Sequence, residues 1–355
     1  MRGLPLVGVI LSLVACGSGA ARAVPAATAS ATHDQHAATP SATPLINVDD
    51  MMGFFANQQT VFVVSDGWVR AVTLLNHDVR YEIAVGGPAQ VAVDQGGTWL
   101  YVLDLDKSTG TSRLRTFDVA AGSERARATE ISGVASDRRA LAAVANKVYV
   151  LKTEASDKRS WVDSFEALTL KPAGTIAEKA GCADRLLATV ARIALVCRTD
   201  GTMAVGFTVG GGRPVDRAFP GIAGATMADD GTIYVVTSAG ALAAVPSGSD
   251  HLADLPLPSD WIGTVLPDTL VATGGYVVLA QQANVPYARM WLSSNMAQRR
   301  SWQLSGTPQG GMLALWPFAY FTVDRSVRHI DLGTGALETM TDIGANAMLG
   351  AIASK

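Results

Sequence analysis

Two short patterns recur along the chain, and their spacing restricts its fold more than any single residue does. In the first, Val91-Ala92-Val93 runs into Asp94-Gln95-Gly96-Gly97 and on to Trp99-Leu100-Tyr101-Val102-Leu103. The same order returns as Ala225-Thr226-Met227-Ala228, Asp229-Asp230-Gly231 and Thr232-Ile233-Tyr234-Val235-Val236. An apolar strand, an Asp/Gly turn and a second strand make a hairpin, because Asp and Gly accept the positive φ that short reversals need. In the second pattern, Leu114-Arg115-Thr116-Phe117-Asp118 leads to Ala120-Ala121-Gly122, and Val327-Arg328-His329-Ile330-Asp331 leads to Gly333-Thr334-Gly335. Here apolar and polar residues alternate, as a half-buried strand requires. The strongest strands begin near Val61, Trp99, Lys147, Arg192, Thr232, Tyr276 and Phe318, a period of roughly 40 to 50 residues that marks a repeat architecture.

Each interval holds four strands, and a four-stranded sheet cannot bury both of its faces alone. Stacking the units around an axis solves this, and predicts an all-β, seven-bladed β-propeller of antiparallel blades over residues 45–355. No apolar strand directly precedes Thr60–Val64, whereas the stretch from Asn346 to Ile352 is an innermost-type strand with no partner after it. The two loose ends complement each other, so the C-terminal strand is predicted to complete the blade begun by the N-terminal three, leaving no open edge. Composition agrees. Only 17% of residues are charged, against about 25% on average, as expected where stacked sheets bury both faces. The net charge of −3 and the lack of a Lys/Arg cluster exclude a phosphate-binding surface for nucleic acid.

The first residues read as an address. Met1-Arg2 precedes an apolar run from Leu4 to Ala15 that is too short to span a bilayer. It ends in Leu13-Val14-Ala15-Cys16-Gly17, which resembles the bacterial lipobox. The expectation is a signal peptide over 1–15 and lipid attachment at Cys16, placing the protein on the extracytoplasmic face of the cell membrane; a plain secretory signal cut near Ala21 or Ala23 is the alternative. Residues 16–44, mostly Ala, Ser, Thr, Gly and Pro, form a flexible tether. His33 and His36 within it are too few to make a metal site. In an exported chain the remaining pair, Cys182 and Cys197, is expected to form a disulfide. Cys182 leads into the strand Leu186–Val190 and Cys197 closes the strand after it, so hairpin pairing brings them together. A redox role lacks the CxxC spacing.

Catalytic signatures are missing: there is no phosphate loop, HExxH, GxSxG or GxGxxG, and no catalytic residue is nominated. His77, His251 and His329 fall in different blades at non-equivalent positions. Loops leaving the second strand and entering the first strand of each blade gather on one face around the channel, which nominates Asp66, Asp104, Asp106, Arg198, Asp200, Trp261, Asp324 and Arg325 as a ligand face. Carboxylates converging there would suit Ca²⁺. The competing reading is that Asp stands in these turns for backbone reasons.

The Tyr-Val strand endings (Tyr101-Val102, Tyr234-Val235), the Asp-Gly hairpins and Asp331-Leu332-Gly333-Thr334-Gly335 resemble YVTN-type repeats and the non-catalytic heavy chain of quinoprotein amine dehydrogenases, across about residues 55–353. The resemblance implies the fold and leaves the activity open. Trp-Asp endings of WD40 repeats are absent. So is the Trp that quinone-binding propellers place after each Thr-Gly, since Gly333-Thr334-Gly335 continues Ala336-Leu337-Glu338. In the amine dehydrogenases a separate Cys-rich chain carries the quinone. The leading expectation is a membrane-anchored binding or scaffold module for a protein or cell-envelope ligand. The alternatives are a non-catalytic oxidoreductase subunit and a metal-dependent hydrolase or lactonase acting through the carboxylates at the channel mouth.

Overall fold

A computed structural model describes residues 59–354, apart from positions 75, 107–108, 110, 135–138, 155, 157, 191, 208–214, 250, 257–260, 262 and 345–346. Cys16, the signal segment and the tether therefore lie outside the described residues. Seven antiparallel sheets form a ring. Blade 1 comprises Met348–Ser354, Gln59–Ser65, Trp68–Thr73 and Val79–Ala84, and blade 2 Ala89–Val93, Trp99–Asp106, Thr111–Asp118 and Glu124–Ile131. Blade 3 comprises Leu141–Val144, Lys147–Thr153, Arg159–Glu166 and Pro172–Ala180, and blade 4 Arg185–Ala188, Arg192–Cys197, Thr202–Phe207 and Val215–Ala218. Blade 5 comprises Ile222–Met227, Ile233–Thr237, Leu242–Val245 and Ala253–Asp254. Blade 7 comprises Gln309–Leu315, Phe318–Val323, Ser326–Asp331 and Leu337–Asp342.

Blade 6 departs from the expected four strands. Its innermost strand is split into Thr264–Val265 and Val271–Thr273, both paired with Tyr276–Gln282, which continues to Pro286–Leu292 and Gln298–Gln303. Pro267 sits in the gap and cannot donate to a ladder, and Asp268 beside it has a φ of 62°. The Thr269 hydroxyl takes over the missing pairing, donating to Leu266 O at 2.7 Å and accepting the Ala280 N–H at 3.2 Å.

The strong strands of the sequence are the second strands of the blades. Arg192–Cys197 and Phe318–Val323 are buried throughout, because each lies between two neighbouring blades and has no solvent face. The apolar core is accordingly divided into seven clusters, one at each seam between adjacent blades. The outer strands read differently: Pro172–Ala180 and Gln298–Gln303 are mostly exposed. The recurrent Asp of the second pattern caps its own turn. Asp118 accepts the N–H groups of Ala120 and Ala121 at 2.8 and 2.9 Å, and Asp331 those of Gly333 and Thr334 at 2.8 and 2.9 Å.

Closure is as the two loose ends require. Met348–Ser354 is the innermost strand of blade 1 and pairs antiparallel with Gln59–Ser65. Across the adjoining seam, the buried Tyr320 hydroxyl donates to the Gln59 side-chain oxygen. Another seam is held by a buried cation. Arg192 in blade 4, only 1% exposed, donates to the carbonyls of Gly231, Val245, Pro246 and Ser249 in blade 5.

Cys182 and Cys197 form a disulfide with a Cα separation of 5.6 Å. It spans 15 residues and ties the connection into blade 4 to the end of that blade's second strand. Closing such a loop removes about 3 kcal/mol of unfolded-state entropy. Dithiothreitol, or a paired Cys182→Ala/Cys197→Ala exchange, should therefore lower the melting temperature without changing the circular dichroism of the native state. Two titratable thiols in the unfolded, unreduced protein would show that the bond is absent.

Candidate functional site

In this strand order the connections between blades and the turns between second and third strands share one face, here the upper face. The other turns share the lower face. The inner strands of blades 3 and 4 both begin at the upper face with a basic residue. Arg139 and Arg185 form a parallel bridge there, and the Leu186 N–H donates to Arg139 O at 2.9 Å.

Asp268 reaches into this site from the gap in blade 6. Its N–H donates to Ala223 O in blade 5 at 3.1 Å, a carbonyl left over by the bulge between Ile222 and Gly224. Its own carbonyl accepts the Met312 N–H of blade 7 at 3.0 Å and Arg139 Nη2 of blade 3 at 3.1 Å. Its carboxylate accepts from Arg185 Nη2 and, at 3.0 Å, from Arg198 Nη1, both of blade 4. One residue thus joins blades 3, 4, 5 and 7 to blade 6, and closes the axis at this depth. Room for it comes from Gly311, whose φ of +93° and missing side chain matter together: a Cβ would stand 2.6 Å from Asp268 O and 2.8 Å from Arg139 Nη2.

Burial works against the charged form of Asp268, but the Arg185 guanidinium and its hydrogen bond, with Arg139 and Arg198 behind, outweigh it. The carboxyl is held below the usual carboxylate range. Arg185 is 1% exposed, so its charge has little water to lean on and depends on Asp268.

Beside the plug lies a hollow of about 550 Å³ at the upper ends of blades 7, 1 and 2. It is lined by Val64, Ser65, Asp66, Ala89, Gln309 and Met348, with Pro88 and Ala347 at its edge. Its size is that of a small-ligand pocket, and its wall is of mixed polar and apolar character. Among its described lining residues there is no His, Cys or Lys.

Of the nominated residues, Asp66 lines this hollow and Arg198 belongs to the Asp268 network, with Asp184 as its second carboxylate at 3.4 Å. The others lie elsewhere. Asp104 is fully buried in blade 2, where it accepts the Gly86 N–H at 3.1 Å and pairs with Arg113 and Arg115 at 3.0 and 3.3 Å. The side chain of Asp106 lies outside the described residues. Asp200 is exposed, and its N–H meets Cys197 Sγ at 3.3 Å. Trp261 is half-buried: it stacks on Trp291 at 5.9 Å and lies against Gly240 at the seam of blades 5 and 6. Asp324 takes a positive φ of 54° in its turn, the backbone role weighed for it above, and Arg325 pairs on the surface with Asp342 at 3.2 Å.

Among the described residues, one group of three potential metal ligands lies close enough to share an ion: Cys182, Cys197 and Asp200. Its two sulfurs are engaged in the disulfide. Sequence reasoning missed Asp268, Arg139 and Arg185. A signal was present, since Asp137-Arg138-Arg139 and Asp184-Arg185 each stand directly before an apolar inner strand, in consecutive blades.

No protein-family profile matches the chain, and no curated protein matches it in sequence. Its backbone is similar to solved structures. Hydrazine synthase of Kuenenia stuttgartiensis superposes with a TM-score of 0.57 at 12% identity, over 81% of this chain and 94% of that one. AztD of Citrobacter koseri gives 0.54 at 14%, over 81% and 82%. The computationally designed Ika8 protein gives 0.55 at 13%, over 83% and 90%. At such identities the likeness is one of fold, and that fold is the seven-bladed β-propeller.

Proposed function

We propose that the chain is a lipid-anchored extracytoplasmic binding module that holds a protein or cell-envelope ligand at its upper face, in the hollow beside the Asp268 plug. The observation that carries this reading is the hollow itself. It is large enough for a side chain or a short segment, and its wall sets the apolar side chains of Val64, Pro88, Ala89 and Met348 beside the polar ones of Ser65, Asp66 and Gln309. Such a lining suits recognition, with the apolar wall supplying burial and the carboxylate and amide supplying direction. Export is supported by the Leu4–Ala15 run, the Cys16 context and the disulfide. Two or more acyl chains on Cys16 would hold the protein stably, where one would not.

A photo-reactive residue at Gln309 tests the ligand, compared in native membranes with one at Asn146 on the lower face. A discrete crosslinked product is expected from position 309 alone, and Asp66→Lys should abolish it. Equal products from both positions, or none from 309, overturn the proposal. A crosslinked Cys-rich or quinone-bearing chain would move the assignment to an oxidoreductase subunit. Cys16→Ser should shift the protein to the soluble fraction; if it stays with the membrane, the anchor is wrong.

A further inference from the structure

Among the described residues five large apolar side chains are exposed: Leu168 at 59%, Val190 at 52%, Val79 at 51%, Trp316 at 41% and Val215 at 38%. Each alone is ordinary for a protein surface. Their placement is not. Val190 and Trp316 lie in turns between first and second strands, Leu168 lies in a turn between third and fourth strands, and Val79 and Val215 each open a fourth strand. All five positions belong to the lower face, and the upper face has none. They come from blades 1, 3, 4 and 7, so they are spread around the ring as separate points of contact.

Trp316 is the most constrained of them. Its N–H donates to Thr273 Oγ1 at 2.9 Å, and its ring stacks on Tyr276 at 5.4 Å over Gly274, where a Cβ would approach to 2.4 Å. The ring is thereby fixed with its remaining surface toward solvent. Around these side chains the lower-face turns are built largely from small residues, as in Val119-Ala120-Ala121-Gly122-Ser123 and Leu332-Gly333-Thr334-Gly335. The lower turns carry charges as well, among them Asp78, Asp94, Lys171, Asp229 and Asp230.

The covalent path ends on the same face. Gln59, where the described chain begins, and Ser354 are paired neighbours at the lower edge of blade 1. The N-terminal segment therefore joins the propeller at this edge. The 28 residues 17–44, whose composition is that expected of a tether, would have a reach of about 30 Å and would confine the propeller near the bilayer at an effective concentration in the millimolar range. Weak surface contacts suffice under that confinement.

We propose that the lower face is a lipid-contacting surface, on which Trp316, Leu168, Val190, Val79 and Val215 rest in the head-group region of a zwitterionic bilayer and hold the upper face outward. This rests on the lipid-anchor reading given above. Trp is the side chain suited to that depth, with an apolar body and a polar edge. The charges on this face favour zwitterionic over anionic lipid: Asp78, Asp94, Asp229 and Asp230 outnumber Lys171, with Arg80, His77 and His251 nearby.

The test uses the full lipidated chain reconstituted in phosphatidylcholine vesicles, with lipids brominated at shallow acyl carbons as quenchers. One of the seven tryptophans should be quenched, and Trp316→Phe, which keeps the stacking on Tyr276, should remove that component. Leu168→Asp with Val190→Asp should reduce the quenching several-fold while leaving the melting temperature unchanged. Enriching the vesicles in phosphatidylglycerol should weaken it. Unquenched protein that is nevertheless vesicle-bound, or quenching that persists in Trp316→Phe, overturns the surface and leaves the anchor standing. Wild-type protein that fails to bind vesicles at all, or Cys16→Ser that remains bound to native membranes, overturns the anchor.

Discussion

A chain ending at Gly344 should lose its cooperative melt. The seven residues Met348–Ser354 supply the inner strand of blade 1 and pair with six residues of Gln59–Ser65. At about 1 kcal/mol for each ladder position the loss is about 5 kcal/mol or more before packing is counted. That approaches the whole stability of an ordinary domain, about 5–15 kcal/mol. Packing adds to it: Ala351 and Ala353 sit in the seam with blade 2, and a Cβ on Gly350 would meet Val91 at 2.2 Å and Val64 at 2.6 Å. The truncated protein should show raised protease sensitivity first at blade 1, and a synthetic 345–355 peptide added in trans should restore part of the melt. An unchanged melting curve would mean that the ring does not depend on this strand.

Asp268→Ala should cost about 3 kcal/mol or more, because it leaves the Arg185 guanidinium buried without its anion. Much of this is the expense of the orphaned charge, so Asp268→Ala combined with Arg185→Met should be less destabilised than the sum of the two single variants. Additive losses in that cycle would show that the pair is not coupled. Acid should reveal the same contact. The Asp268 carboxyl is depressed in the folded protein and titrates near 4 when unfolded, so its contribution is complete above about pH 4 and is lost as the pH falls through the folded value. His329 acts higher on the scale. Burial between Phe318 and Tyr320 keeps its imidazole neutral, outweighing Glu338 and Asp331. The unfolded imidazole takes its proton near 6.5, so stability declines as the pH drops below that point. In His329→Gln that upper limb should vanish, leaving the carboxylate limb that Asp268→Asn removes in part.

The parts of the fold that depend on nearby residues were legible in the sequence. Each second strand is buried on both sides and so appears as a continuous apolar run, while Asp118 and Asp331 announce turns that they cap themselves. The Cys182–Cys197 bond joins the ends of one hairpin, and the closing strand was visible as an unpartnered run. The plug was not legible. Pro267-Asp268 resembles any surface turn, and its partners Arg185 and Arg139 lie 83 and 129 residues away. Only the curvature of the ring brings them to one point. For the same reason Asp104, Trp261 and Arg198 could not be told apart beforehand: their place in the repeat was readable, but their direction across the seam was not.

The composition of blade 1 also fixes an order of events. Six blades can be assembled from consecutive segments as the chain emerges, but the first cannot, because its inner strand follows all six of them in the chain. Until then Gln59–Ser65 presents an unpaired edge of apolar residues, the kind of edge that captures other strands. Closure of the ring therefore waits for residues 348–354, and an interruption of synthesis before them leaves a nearly whole ring with one adhesive seam. Such products should be the ones most dependent on chaperones.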